Sequence, residues 1–323
     1  MNTKPLSTAE RLRVLVVDPL APKALADLGA LYDVTVHMQP PQDVLTKLLR
    51  DQHALVLRSG VKLPREVIEH AEQLKVIARA GNGTDNIDLL AAAEAGIQVF
   101  NIPSVSSGAV AELALGLAFS VMRNIALADR QIRAGVWKKS ELAGVELSQK
   151  TMGIIGLGSI GSRLARLAQG VGMNVVASVG RLTEERRAEC ASAGITLAPT
   201  DQVLRQADVV TLACPLNDHT RRLVTRAELA LMKPTAYLVN VSRGGVVDEE
   251  HLYEALVHRR IAGAAIDVLA VEREPSRLSE LDNVVLTPHI GAMTFDSQDR
   301  IGQILLEGLR LALAGLDAPT RIR

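Results

Sequence analysis

Three side chains of complementary chemistry follow short aliphatic runs in the last third of the chain. Arg243 lies in Val239-Asn-Val241-Ser242-Arg243-Gly244-Gly245, a glycine-rich turn beyond an apolar stretch. A guanidinium there needs an anion, and its planar fork can hold a carboxylate in two parallel hydrogen bonds; a purely structural ion pair is the alternative. Ala264-Ala-Ile-Asp267 is an apolar run ending in an acid, with Glu272 and Glu274 following before Pro275. Val284-Val-Leu-Thr287-Pro288-His289 puts a histidine after a proline in a similar turn. Of the seven histidines it alone has that setting, His251 and His258 reading as helix-surface residues. A lone histidine is more often structural than catalytic. With an arginine and an acid at neighbouring strand ends it becomes a general acid/base beside a cation that can stabilise a developing oxyanion.

A second constellation lies upstream. Gly153-Ile-Ile-Gly156-Leu-Gly158-Ser159-Ile160-Gly161 writes G-x-G-x-x-G directly after an apolar strand and ahead of a helix read at Ser162–Gln169. In that context Gly156 allows the tight turn, Gly158 lets backbone approach a pyrophosphate, and Gly161 lets helix pack on strand, while the helix N-terminus supplies N–H donors. Glycines that only tighten a turn are the alternative to a dinucleotide site. An acid that would bind the ribose of NAD is expected at the end of the next strand. There Asn174-Val-Val-Ala-Ser178-Val179-Gly180-Arg181 has Val179 instead, and Arg181 suits a ribose 2′-phosphate. NADP(H) is therefore favoured and NAD(H) stays open, since Arg181 could be a solvated loop charge beside Glu184 and Glu185.

These residues need strands to end on one edge, and the chain supplies a matching series. Runs rich in Val, Ile, Leu and Ala alternate with helix-length segments, the pattern of buried parallel strands with crossover helices, so the class is α/β. Strands are expected at Arg13–Val17, Asp33–His37, Ala54–Arg58, Lys75–Arg79 and Ile97–Asn101. A long helix follows from Ala109 to about Arg123. A second series then runs through Met152–Gly156, Asn174–Ser178, Ile195–Ala198, Val209–Cys214, Ala236–Val241, Gly263–Val268 and Asn283–Thr287. The final helix, around Ser297–Ala314, has no later strand to cover, which suggests that it returns to the first lobe.

Composition narrows the class of partner. The chain has 323 residues, enough for two domains, and is 48% hydrophobic with only 2% aromatics, which leaves little material for stacking bases. Its 36 Lys plus Arg balance 36 Asp plus Glu, removing the broad basic field that draws proteins to nucleic acid or anionic membranes. Leu113–Met122 is too short to cross a bilayer and Met1–Arg13 has no signal-peptide core, so a cytoplasmic protein is expected. Two cysteines, Cys190 and Cys214, cannot complete a structural zinc site, and no metal is expected.

Phe100-Asn101, Val110-Ala111-Glu112-Leu113, the Gly156–Gly161 turn, Asn240-Val-Ser-Arg243-Gly-Gly245-Val-Val-Asp248, Gly263-Ala-Ala-Ile-Asp267-Val268 and Thr287-Pro288-His289-Ile-Gly291 together resemble the D-isomer-specific 2-hydroxyacid dehydrogenases. The likeness covers nearly the whole chain. Leu57-Arg58-Ser59, Arg79-Ala-Gly81-Asn82-Gly83-Thr-Asp85-Asn86 and Gly135-Val-Trp137 are most similar to the phosphoglycerate dehydrogenase branch. The resemblance implies a Rossmann dinucleotide-binding domain, residues 103–294, inserted into a flavodoxin-like substrate domain, residues 1–102 and 295–323. An active site in the cleft between them is implied, as is a homodimer whose contact uses Ala109–Leu142. So is hydride transfer between a nicotinamide cofactor and a small D-2-hydroxy or 2-keto acid such as glyoxylate, hydroxypyruvate or phosphohydroxypyruvate. Because the chain stops at Arg323, the C-terminal regulatory domain of some phosphoglycerate dehydrogenases, and serine feedback with it, is not expected.

By the same resemblance Arg243 holds the substrate carboxylate and keto oxygen and His289 is the general acid/base. The acid that keeps His289 charged is Glu272 by its spacing from Asp267, or Glu274 by its place before Pro275. Asp267 binds the nicotinamide amide and Ser159 and Ile160 meet the pyrophosphate. Ser178, Cys214, Val241, Ser242, Gly291 and Ala292 line the cofactor groove. Substrate contacts fall to Arg58, Ser59, Asn82 and Gly83, with Arg58 at the far end and Asn82 departing from the small or hydroxyl residue expected there. Gly180-Arg181 resembles the NADPH-using glyoxylate and hydroxypyruvate reductases. A dinucleotide sensor of the same fold without turnover is the alternative reading.

Overall fold

The computed structural model describes residues 11–322 of the chain. The reading that no signal-peptide core opens the sequence therefore falls largely on residues outside those described. Two compact units are formed, one from Met1–Ser106 with Thr294–Arg323 and one from Ser107–Met293.

The first unit is built on β1 (Arg13–Val16), β2 (Asp33–Val36), β3 (Ala54–Leu57), β4 (Val76–Arg79) and β5 (Gln98–Asn101), all parallel in the order β2-β1-β3-β4-β5. That is the flavodoxin-like order. Helices α1 (Pro22–Leu31), α2 (Gln42–Leu49), α3 (Arg65–Ile68) and α4 (Leu89–Glu94) make the crossovers. Strands β3 and β4 are buried at every position, as parallel strands covered on both faces must be. The unit runs four residues beyond the 102/103 boundary read from the sequence, because Ile102 N donates to Gly81 O at 2.8 Å and Val105 packs on the same core.

Ser107–Met122 forms α5 and Ile125–Arg133 forms α6, opening the second unit. Its seven strands are β6 (Thr151–Ile155), β7 (Asn174–Ser178), β8 (Ile195–Leu197), β9 (Val209–Leu212), β10 (Tyr237–Asn240), β11 (Gly263–Ile266) and β12 (Val284–Leu286). All are parallel in the order β12-β11-β10-β9-β6-β7-β8, the doubly wound Rossmann arrangement with one added strand. Crossovers run through α7 (Ser159–Gly170), α8 (Glu184–Ser192), α9 (Thr200–Gln206), α10 (Arg226–Leu229) and α11 (Glu249–Val257). Helix α5 is apolar on most of its circumference because it is packed against α7, β10 and β11.

The closing helix α12 (Phe295–Leu313) packs on α1 and β4 of the first unit, with Ile301, Leu305 and Leu309 in its core. Thr294 caps it by accepting from Ser297 N at 3.1 Å. The observed strands are mostly one or two residues shorter than the sequence predicts, since each chain leaves the ladder where it turns into a loop. Among the described residues no single helix is long and apolar enough to cross a membrane.

Candidate active site

Strand order reverses between β6 and β9, and the glycine turn follows β6 at that point, where open α/β sheets leave a crevice. Gly156 has φ +99°, and a Cβ there would lie 2.7 Å from Cys214 N in the turn after β9. Only glycine tolerates both. Its N–H donates to Ser178 O at 3.0 Å, tying the turn to the end of β7. Helix α7 starts at Ser159, three residues earlier than the sequence suggests. Gly158, its N-cap, offers no side-chain acceptor to the first-turn N–H groups. Those uncapped donors and the helix dipole fit a pyrophosphate. Ser107 Oγ donates to Ser159 Oγ at 3.0 Å, Ile160 is half-buried and Gly161 is buried.

The rest of the groove residues cluster at the same sheet edge. Ser178 is buried and accepts from Thr200 Oγ1 at 3.2 Å. Val179 is half-buried and Arg181 is exposed. Cys214 is buried, which pushes its thiol up. Val241 is buried, and Ser242, also buried, donates from N and Oγ to Asn240 Oδ1 at 3.1 and 2.8 Å. Gly291 is buried and Ala292 half-buried.

Strands β10, β11 and β12 are consecutive neighbours, so the residues after them converge. Arg243 follows β10; its Nη1 donates to Ser242 O at 2.8 Å, and its own carbonyl accepts from Asn240 Nδ2 at 3.0 Å. His289 follows β12 with Nδ1 2.6 Å from Glu272 Oε1. Between them Asp267, 2% exposed, organises the turn: its Oδ1 accepts from Thr287 Oγ1 at 2.6 Å and Ile290 N at 2.9 Å, and its Oδ2 from Gly291 N at 3.0 Å. His289 N donates to Asp267 O at 2.8 Å, and His289 itself has φ +54°. A non-glycine residue in that region persists where its surroundings over-determine it, and the Asp267 bonds do so here.

Of the two candidate glutamates it is Glu272 that the fold brings to His289. Glu274 lies beyond Arg273, whose φ of +72° turns the chain, and is exposed. The hydrogen bond from His289 holds the Glu272 carboxyl below its ordinary value against partial burial, and the charges of His289, Arg273 and Arg243 act in the same direction. The pair is thus set up as an ionised carboxylate beside an imidazole, with a guanidinium nearby.

In the first unit Arg58 follows β3. Its N–H donates to Asp18 Oδ2 at 2.6 Å and its carbonyl accepts from Asn86 Nδ2 at 2.7 Å. Burial pushes the Arg58 guanidinium down from its ordinary value, opposed by the charge of Asp18. Ser59 and Asn82 are exposed and Gly83 is half-buried; Asn82 O accepts from Asn101 Nδ2 at 2.6 Å.

Two side chains that the motifs do not single out also reach these turns. Arg186, on α8, donates from Nη2 to Leu157 O inside the glycine turn. Glu249, the first residue of α11, accepts from Ala270 N at the start of the Glu272 loop. In sequence both look like ordinary helix-surface charges, and no local signal separates them from their neighbours. Among the described residues no cluster of three or more His, Cys, Asp or Glu side chains could hold a metal.

A parallel doubly wound sheet with a glycine turn at its switch point and a His–Glu pair at neighbouring strand ends defines a nicotinamide-dinucleotide oxidoreductase fold. Residues 115–291 match the family model described as D-isomer specific 2-hydroxyacid dehydrogenase, NAD binding domain. The D-3-phosphoglycerate dehydrogenase of Methanocaldococcus jannaschii is 42% identical over 308 residues, 94% of this chain and 58% of that protein. The hydroxypyruvate reductase of Thermotoga maritima is 39% identical over 304 residues, 92% of this chain and 97% of that one. A solved NADPH-dependent glyoxylate/hydroxypyruvate reductase from Sinorhizobium meliloti, in complex with NADP and malonate, superposes with a TM-score of 0.85 at 27% identity, covering 97% of each chain. This chain belongs to the D-isomer specific 2-hydroxyacid dehydrogenase family, and its second unit carries the NAD(P)-binding Rossmann domain. It spans little more than half the length of the phosphoglycerate dehydrogenases that it matches.

Proposed function

We propose that the chain is a D-specific 2-keto acid reductase, working reversibly as a 2-hydroxyacid dehydrogenase and preferring NADP(H). The observation that carries this reading is the 2.6 Å contact of His289 with Glu272 at the strand ends of the NAD(P)-binding unit. When bound, the nicotinamide supplies a hydride to the keto carbon. His289, held by the Glu272 carboxylate, gives its proton to the keto oxygen as the new hydroxyl forms. Arg243 holds the substrate carboxylate and stabilises the negative charge growing on that oxygen. Asp267 keeps the His289 turn in place and meets the nicotinamide amide. Ser159 and Ile160, in the first turn of α7, receive the pyrophosphate.

Cofactor preference rests on the end of β7. Val179 offers no acceptor to the ribose hydroxyls and no charge to repel a 2′-phosphate, while Arg181 is exposed at the loop and Arg186 stands at the glycine turn. The NADPH dependence of the Sinorhizobium meliloti reductase supports the same choice. Substrates are small 2-keto acids of the glyoxylate, hydroxypyruvate and phosphohydroxypyruvate class, bound through the first unit by Arg58, Ser59, Asn82 and Gly83. We assign a homodimer to the segment Ala109–Leu142, where Ile125, Ile132 and Trp137 expose apolar surface.

The test is a panel of 2-keto acids assayed with NADPH and with NADH, following loss of the reduced nicotinamide and the configuration of the product. Turnover of at least one of the three named acids to the D-hydroxy product is expected. Cofactor binding without turnover of any 2-keto acid would instead assign the chain as a dinucleotide sensor.

A further inference from the structure

We infer that Glu249 is a positioning residue for the Glu272–His289 pair, fastening the root of the loop that carries Glu272. The inference rests on the catalytic reading above. Glu249 is the first residue of α11, a helix capped by Asp248, whose Oδ1 accepts from His251 N at 3.1 Å, and anchored by buried Leu252, Ala255 and Leu256. From that fixed origin its carboxylate accepts from Ala270 N, where the loop leaves β11. The loop ends at Ser276, whose hydroxyl accepts from Leu278 N at 3.3 Å at the start of the next helical turn.

Beyond that anchor the chain has little else to hold it. Residues 271–275 are all exposed, and Arg273 takes φ +72°. Gly244, one residue after Arg243, stands so close to Leu269 and Ala270 that any Cβ there would overlap their backbone. The turn carrying Arg243 is therefore packed on the root of the loop carrying Glu272, and Glu249 fastens that root. Burial pushes the Glu249 carboxyl up, against the hydrogen bond from Ala270 N, in keeping with a group held inside rather than on a solvated helix face.

The prediction separates positioning from general stability. Glu249→Ala leaves Ala270 N without its acceptor, and a displaced catalytic loop should lower kcat for keto-acid reduction by about 10- to 100-fold. KM for NADPH should stay within about twofold of wild type, because the glycine turn is untouched. The fall in reduction rate towards high pH should begin at lower pH, as in Glu272→Gln. Glu249→Gln, which keeps an acceptor for Ala270 N, should restore the wild-type pH profile. In a double-mutant cycle Glu249→Ala should add no further pH shift to Glu272→Gln, since the first acts through the second. An unchanged pH profile in Glu249→Ala, additive shifts in the cycle, or a Gln variant as impaired as Ala would overturn the inference. If Glu249→Ala does not fold, the Gln variant and its cycle with Glu272→Gln decide it. A wild-type profile in Glu272→Gln itself would instead sink the catalytic reading.

Discussion

His289 Nδ1 and Glu272 Oε1 stand 2.6 Å apart although seventeen residues separate them in the chain, and they come from turns after two adjacent parallel strands. The contact fixes the histidine ring, and it exists because Asp267 holds the β12 turn while Glu249 fastens the β11 loop.

Removing the anion should be visible in the pH profile. Glu272→Gln takes away the negative charge that stands 2.6 Å from the His289 ring. Glu272→Gln should therefore move the high-pH limb of keto-acid reduction to lower pH, while Glu274→Gln should leave it in place. The pair also bears on stability with a definite sign. The folded Glu272 carboxyl is held below its ordinary value, so its contribution is present above that value, near 4.5, and fades as pH falls through the folded one. Thermal melts of wild type and Glu272→Gln should differ at neutral pH and converge in acid.

Asp208 makes a comparable but purely structural prediction. Partial burial works to raise its carboxyl, yet Lys233 Nζ at 2.7 Å and Thr151 N at 2.9 Å outweigh that and hold it low. These bonds tie the starts of β6 and β9, on either side of the switch point. Asp208→Asn should lower Tm at neutral pH, and the difference should vanish as pH falls through the depressed value. A lower Tm that persists unchanged in acid would mean that the charge is not what matters.

Much of the site was legible in the sequence because its residue types are costly elsewhere. Glycines at 156 and 158 after an apolar strand, and Arg243, Asp267 and His289 at the ends of buried runs, stand out against aliphatic surroundings. The two glutamates were harder to separate: spacing from Asp267 favoured Glu272, the place before Pro275 favoured Glu274, and both are exposed, so it is the backbone turn at Arg273 that sets them apart. Arg186 and Glu249 were hidden for another reason: their partners are backbone groups 29 and 21 residues away, and each sits among other charges on a helix. The lengths of the strands were overread because apolar composition continues past the ladder into the turns that build the site.

Cofactor choice should respond to the β7 end. A charge-assisted hydrogen bond to a 2′-phosphate contributes ~1.5–3 kcal/mol. This corresponds to a preference for NADPH of roughly 10- to 150-fold at ~1.4 kcal/mol per decade. Arg181→Ala should remove most of it, and Val179→Asp added to that should reverse it by supplying a ribose acceptor and like-charge repulsion. The comparison is kcat/KM for both cofactors at low salt, where exposed charges are least screened. A wild type that favours NADH would make Arg181 a solvated loop charge.

Arg58 should act at the far end of the substrate. Arg58→Ala is expected to raise KM for keto acids with an anionic tail far more than for glyoxylate, which has none. Equal effects on both would mean that Arg58 serves Asp18 and the β3 turn instead.

The most direct test of the central claim is the rate of keto-acid reduction by His289→Ala, measured beside its affinity for NADPH. General acid catalysis contributes ~10²–10⁴-fold, so the rate should fall by at least that range while cofactor affinity stays at the wild-type level. A variant that binds NADPH normally and keeps more than about a tenth of the wild-type rate would contradict the assignment of His289 as the proton donor.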